Sequence, residues 1–317
     1  MEACTSQGKF NVTTYNTVSM AIVTLQTFAG MWINAFIVSV LCVAWGKKRS
    51  FNSNEKIFLF LGCSRFCYLF ITWVFFLFEY IYPFCMDVYP ATQLLQGTQN
   101  FFSVSSLWVS AILSVFYCVK IANFQHSFFI YLKVKIDRFV PWLMLASVLI
   151  SLGSSSFSYK VLSESICNNT NCTSAEYLWK DSNKTHEDLL LFLFLSGIVY
   201  ATAFAAVISS ALLLLFSLWR HKHRMQTKSG KNISMDAHIK AMKSIFSFFF
   251  VYCINFICLV LSLIYETKRE STMPILILVL LLAFPAVHSL ILIFSNPKLE
   301  KTLLRTLSCL KCNICMK

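Results

Sequence analysis

Leu113-Ser-Val-Phe-Tyr-Cys-Val-Lys-Ile-Ala-Asn-Phe124 closes an apolar segment that begins near Gly97, and Lys120 within it is the first charge after Asp87. A helix of about this length crosses a bilayer at ~1.5 Å per residue. A lysine one or two turns from the end of such a helix reaches the headgroups along its own alkyl stem. The stretch therefore reads as the inner end of a central membrane helix.

The surrounding sequence agrees. Of 317 residues, 57% are hydrophobic and only 13% charged, too apolar for a water-soluble domain. Seven apolar segments can be counted, at about 18–45, 57–82, 97–121, 139–159, 188–219, 244–265 and 274–295. They are continuous rather than alternating, which points to helices and not to a barrel. The predicted class is all-α, a seven-transmembrane helix bundle. Residues 1–17 form a short outer N-terminus, 18–295 the transmembrane domain and 296–317 a cytoplasmic tail. Met1 to Asn16 is short and polar, so no cleavable signal is expected. The thirteen cysteines are too few for a disulfide scaffold in so long a chain, and Cys42, Cys63, Cys67, Cys118, Cys253 and Cys258 sit in apolar runs as small hydrophobes.

The net charge of +13 is not spread as a nucleic-acid-binding surface would be. One set of connections plus the C-terminal tail holds 20 Lys and Arg against Glu55, Asp137, Asp236 and Glu300, while the other set is acidic on balance. By the positive-inside rule the N-terminus is expected outside and the C-terminus inside. The sequons at Asn11, Asn168, Asn171 and Asn183 all fall on the expected outer face. Asn232-Ile-Ser falls inside and is read as chance.

Arg65 is the costliest residue in the sequence. It lies nine residues past Lys56, roughly 13 Å up the helix, where a cation costs about 2.5–3.5 kcal/mol and requires polar partners. Asn34 lies at similar depth in helix one, and His288 and Ser289 lie a little over a turn inside the exit of helix seven. If helices one, two and seven adjoin, these side chains surround Arg65, as a structural clamp, a moving part, or both. Proton transport is a weaker reading, because no intramembrane carboxylate stands at that depth. Neither metal-ligand spacing nor a nucleophile motif nor a phosphate loop is present, so no enzyme activity, metal or cofactor is expected.

Over nearly its whole length the chain resembles the type 2 (bitter) taste receptors, a family of G-protein-coupled receptors. Gly30-Met-Trp-Ile-Asn34-Ala-Phe-Ile and Leu61-Gly-Cys-Ser-Arg65 are similar to the family's first and second helices. Trp108, then Leu113-Ser-Val-Phe-Tyr and Lys120-Ile-Ala-Asn-Phe124, resemble its third. Tyr131-Leu-Lys-Val-Lys-Ile136 and Pro141-Trp-Leu follow, the latter opening helix four. Ser217-Leu-Trp-Arg-His221 with Met225, Ala237-His-Ile-Lys-Ala-Met-Lys243, Ser247-Phe with Tyr252, and Pro285-Ala-Val-His-Ser-Leu-Ile-Leu-Ile293 complete the series, with Asn296 and Lys298-Leu after it. Each motif is weak alone; nine in order are specific.

The chain lacks the marks of rhodopsin-like receptors. Lys120-Ile-Ala stands where Asp-Arg-Tyr would be, no Asn-Pro-x-x-Tyr ends helix seven, and helix six has no proline. No cysteine at the outer end of helix three is available for the usual staple; Cys167 and Cys172 are candidates for a local pair instead. One departure from the bitter family is Ala203-Phe204 where it usually has Pro-Phe, and a straighter fifth helix is expected without the ring.

The resemblance implies detection of bitter small molecules and activation of a heterotrimeric, gustducin-like G protein of the inhibitory class, at the plasma membrane as a multi-pass protein. It implies ligand contacts at Gln99, Ser103 and Asn255, and an outer cavity walled also by Phe76, Glu79, Asn100 and Phe256 is expected. Helix–helix hydrogen bonding is the competing role for each polar member. Asn34, Arg65, Ser114, Tyr117, Tyr252, His288 and Ser289 are the expected activation and structural network. Lys120, His221, His238, Lys240 and Lys243 are expected to meet the G protein, and the inner basic loops to meet anionic membrane lipid. Cys309, Cys312 and Cys315, among basic residues of the tail, are candidates for palmitoylation; a zinc clamp would lack its fourth ligand. The competing readings are a vomeronasal-type or other orphan chemosensory receptor, and a transporter or channel, for which the broken helices are missing.

Overall fold

The computed structural model describes residues 6–81, 90–122, 124–169, 182–226, 232–266 and 273–315. Every regular element among them is a helix: α1 (Ser6–Lys48), α2 (Ser53–Ile81), α3 (Pro90–Ile121), α4 (Ser127–Asn169), α5 (Ser182–Gln226), α6 (Asn232–Glu266), α7 (Met273–Ser295) and α8 (Pro297–Cys315). Seven of these contain stretches apolar and long enough to cross a membrane, from Thr17–Lys47 to Ile275–Ser295. The protein is a multi-pass membrane bundle, because only closed hydrogen-bonding within each helix satisfies the backbone in lipid.

The α1–α2 connection and the start of α8, both carrying Lys and Arg, lie together at one end of the bundle, here called the basic end, where Lys298 pairs with Glu55, and local chemistry fixes the chain at both. Arg49 takes φ 52°, and its N–H closes on Trp45 O at 2.7 Å, a left-handed cap that ends α1. At the start of α2, Glu55 Oε2 accepts from Asn52 N at 3.2 Å, the returning half of a capping box, and Lys56 N donates to Asn52 O as the first backbone bond of the helix. Asn296 Oδ1 accepts from Lys298 N at 3.0 Å and caps α8, whose first residue Pro297 has no N–H to satisfy.

Burial ranks the helices. The apolar window of α3 is 72% buried, against 17% for those of α4, α5 and α6, so α3 is the axis and those three present most of their surface to lipid. One apolar core fills the basic half, with Ile37, Leu41, Phe58, Leu61, Ile112, Phe116, Ile293 and Leu299. A second, of Leu107, Ala111, Ala203, Val207, Tyr252 and Phe284, joins α3, α5, α6 and α7 above it. Close approach of α1 and α2 needs Gly30, where a Cβ would stand 2.7 Å from Leu69 Cδ1, and Gly62, where it would stand 3.0 Å from Val38 Cγ2.

Several features differ from the sequence-based expectation. Within the segment 296–317, expected only as a tail, Pro297–Cys315 form α8: Leu299 is buried and Leu303 packs on the basic-half core, a helical spacing hidden among Lys, Glu and Arg. Pro141 does not open α4 but lies within it. The helix starts at Ser127, because Phe129, Leu132, Ile136 and Val140 already share a helical face toward α3. Helix α5, by contrast, runs unbroken through Ala203 as the missing proline ring leads one to expect, with Ala203 fully buried against α3 and α6.

Candidate functional site

Arg65 is wholly buried at the meeting of α2, α3 and α7. Its Nε donates to Ser106 Oγ at 3.2 Å, Nη1 to Ser289 Oγ at 2.9 Å and Nη2 to Ser110 Oγ at 3.0 Å. Nη2 also donates to His288 Nδ1. Since Nδ1 accepts, the imidazole is the neutral tautomer with its proton on Nε2. The guanidinium lies 5.6 Å from the ring centroid of Phe284, a cation–π contact. All four acceptors are neutral, and no carboxylate bonds to it among the described residues.

Following the hydroxyl protons outward shows how the network closes. Ser289 Oγ donates to Asn34 Oδ1 at 2.8 Å, and Asn34 Nδ2 to Gly30 O at 2.8 Å, which ties α7 and α2 to α1. Ser110 Oγ donates to the Ser106 carbonyl at 2.7 Å. Ser106 Oγ accepts from Arg65, and its own hydrogen has no acceptor among the described residues. His288 and Ser289 bond Arg65 directly and Asn34 joins through Ser289, the grouping expected from the sequence; Ser106 and Ser110 were not foreseen. Their signal was present as Ser-x-x-x-Ser, one helical turn apart on α3, which packs beside α2.

Ser106 also walls a cavity of about 30 Å³ at the level just beyond Arg65, lined with Ser103, Tyr68, Tyr200, Asn255 and Phe284 among others. A water needs roughly 10–15 Å³ by this measure, and small-molecule sites run to about 300–1,000 Å³. In this conformation the cavity is closed to a drug-sized ligand. Ser103 and Asn255, two of the expected ligand contacts, both line this cavity, and Asn255 is only 6% exposed.

The other expected contacts are placed differently. Gln99 Nε2 donates to Thr72 Oγ1 at 3.1 Å, and Asn100 Nδ2 to Ser154 Oγ at 3.1 Å, so both span helix interfaces. Phe256 stacks on Phe204, centroids 3.9 Å apart, and Phe204 continues to Tyr252 at 6.3 Å. Phe76 packs beside Val23, Leu69 and Leu282. The side chains of Glu79, His221, His238, Lys240, Lys243, Asn11, Asn168, Asn183, Cys167, Cys309, Cys312 and Cys315 lie outside the described ones, as do residues Asn171 and Cys172 altogether.

From Tyr252 the aromatic contacts lead back to Arg65. Its ring lies 5.7 Å from both Phe248 and Phe284, each of which touches His288. The Tyr252 hydroxyl and His288 Nε2 are buried without a partner among the described residues. Toward the basic end, Ser114 and Ser210 share a 2.7 Å hydrogen bond between α3 and α5. Tyr117 packs against Phe116 and the core around Cys118. Lys120, in the stretch that opened the sequence reading, forms a 2.5 Å ion pair with Asp137 of α4. Lys298 of α8 pairs with Glu55 of α2 at 3.1 Å. Polar and aromatic contacts thus occur at three levels of the bundle, at the cavity wall, between α3 and α5, and at the basic end.

Comparison with known proteins bears on what this arrangement serves. Residues 12–311 match the family model described as taste receptor protein (TAS2R). The human taste receptor type 2 member 2 is 31% identical over 90% of this chain and 94% of its own. The chicken (Gallus gallus) taste receptor type 2 member 40 is 31% identical over 91% and 94%. The mouse (Mus musculus) taste receptor type 2 member 39 is 31% identical over 93% and 92%.

Proposed function

Since the chain belongs to the taste receptor type 2 family, a family of receptors rather than enzymes, we propose that it detects bitter small molecules in the cavity beside Arg65 and activates a gustducin-like G protein of the inhibitory class. The observation that carries this reading is that Ser106 and Phe284 belong at once to the cavity wall and to the surroundings of Arg65. A ligand larger than one or two waters has to part α3 from α6 and α7. That parting displaces Ser106 or Phe284 and reaches the guanidinium directly.

Ligand stabilises the opened arrangement only through its better affinity for it. Shifting a population from 1:99 to 99:1 needs about 5.5 kcal/mol of differential binding, within reach of the apolar and aromatic walls around Asn255. In this reading Tyr252, His288 and Ser289 pass the change to Ser114, Tyr117 and Lys120. His221, His238, Lys240 and Lys243 then meet the G protein when α5 and α6 shift at the basic end, which faces the cytoplasm. Glu79 attracts cationic ligands, and Gln99, Asn100, Phe76 and Phe256 set the shape of the cavity's outer wall. The four outer sequons carry glycans, Cys167 pairs with Cys172, and lipidated Cys309, Cys312 and Cys315 hold α8 at anionic lipid.

The test is expression with a chimeric taste-coupled G protein and a calcium readout against a broad panel of bitter compounds. Responses that vanish without the chimera support the proposal. Silence across the panel despite normal surface density would favour an orphan chemoreceptor, and G-protein-independent current or uptake would favour a channel or transporter.

A further inference from the structure

The buried guanidinium and the cavity beside it pose a charge problem that the protein's own side chains leave open. Arg65 carries a full positive charge with no exposure, and every acceptor it reaches is a hydroxyl or a neutral imidazole. Buried cations are ordinarily compensated by an anion, and none among the described carboxylates bonds to it.

The donors around the cavity are uncommitted in one direction. Of the three serines that accept from Arg65, Ser110 and Ser289 pass their protons on to protein acceptors. Ser106 does not, and it borders the cavity. Ser103, on the preceding turn of α3, and Asn255, facing from α6, also line it and make no hydrogen bond among the described residues. Asn255 and Ser106 are each only 6% exposed. Residues carrying two hydroxyl donors and an amide donor thus line a volume of about 30 Å³, one side chain away from a cation with no anionic partner among the described residues.

We propose that this cavity is a binding site for a single small monovalent anion of the chloride class. The ion would accept from Ser106 Oγ, Ser103 Oγ and Asn255 Nδ2, with Arg65 providing the attraction through Ser106. A water fits the space equally well but gains only a charge–dipole attraction from the nearby cation; an anion gains the stronger charge–charge term, which the apolar surroundings enlarge. A bound chloride stabilises the closed arrangement by mass action. If agonists enlarge the same cavity, as proposed above, chloride opposes them; that corollary rests on the functional reading, whereas the site itself does not.

The experiment needs no agonist. The purified full-length receptor in detergent is unfolded by heat in sodium chloride, sodium bromide and sodium gluconate at matched ionic strength. A saturable rise in Tm on the order of a few degrees with chloride and bromide, absent with gluconate, is expected. Asn255→Leu and, separately, Ser103→Ala should flatten that dependence while the gluconate Tm stays measurable. Equal Tm in chloride and gluconate for the native protein would overturn the site. So would a chloride dependence that survives intact in both variants, since the ion would then act elsewhere.

Discussion

Ser289→Ala is the perturbation whose size follows most directly from the structure. It deletes the acceptor of the 2.9 Å bond from Arg65 Nη1 and the donor of the 2.8 Å bond to Asn34 Oδ1. Hydrogen bonds to charged groups contribute about 1.5–3 kcal/mol, and a neutral bond between membrane helices averages about 0.6 kcal/mol. The loss should be about 2–3.5 kcal/mol, with the charged bond dominant. Asn34→Ala leaves Ser289 able to accept from Arg65, so it should cost only about 0.6–1.7 kcal/mol. A double-mutant cycle on unfolding free energy in mixed micelles should return a coupling between the two positions of roughly 0.6 kcal/mol. Ser295→Ala, on the exposed last turn of α7 where Oγ donates to Ile291 O of the preceding turn, serves as control and should stay within about 0.5 kcal/mol. If Ser289→Ala were as mild as Ser295→Ala, or more costly in Asn34→Ala by nothing resolvable, the chain of bonds through Ser289 would not be what holds α1, α2 and α7 together.

Further outcomes follow from other parts of the bundle. Tyr252→Phe removes a buried hydroxyl without a partner among the described residues, so stability should hold or rise by about 1 kcal/mol; a clear loss in a thermal scan would mean that a bound water or ion completes it. Gly30→Ala forces Leu69 to move, whereas Gly153 has open space where its Cβ would stand. The first should lower Tm, and the second should raise stability by about 1 kcal/mol through helix propensity. Asp137→Asn breaks an exposed pair, which should shift stability by less than about 1 kcal/mol while freeing Lys120 and raising basal signalling; unchanged signalling would remove Lys120 from the coupling surface.

How far the sequence announced all this depended on cost. A cation in hydrocarbon demands partners, so Arg65 drew attention to Asn34, His288 and Ser289 before any geometry was known, and the bonds are there. Ser106 and Ser110 escaped notice because a serine in a membrane helix bonds its own preceding turn cheaply, and α3 has several that face α2, α4 or α5. Gln99 and Asn100 have the chemistry of ligand contacts, but composition cannot say whether an amide faces a cavity or a neighbouring helix. Here Thr72 and Ser154 engage them. Helix α8 was hidden for the opposite reason: its apolar face is narrow and interleaved with Lys298, Glu300, Lys301 and Arg305, so mean composition resembles a tail. Lys120 looked like a snorkelling residue, and only the fold brings Asp137 of the next helix to it.

The central claim is that the cavity bounded by Ser103, Asn255 and Phe284 receives the agonist and that Arg65 responds to it. Its most direct test is the concentration–response curve for an agonist found in the bitter panel, measured by calcium release in Asn255→Leu and Ser103→Ala receptors at surface density matched to the native protein. The account predicts that at least one substitution shifts the half-maximal concentration by about tenfold, equal to ~1.4 kcal/mol, with no loss of surface protein. Curves superimposable on the native one for both variants would place the agonist elsewhere and contradict it.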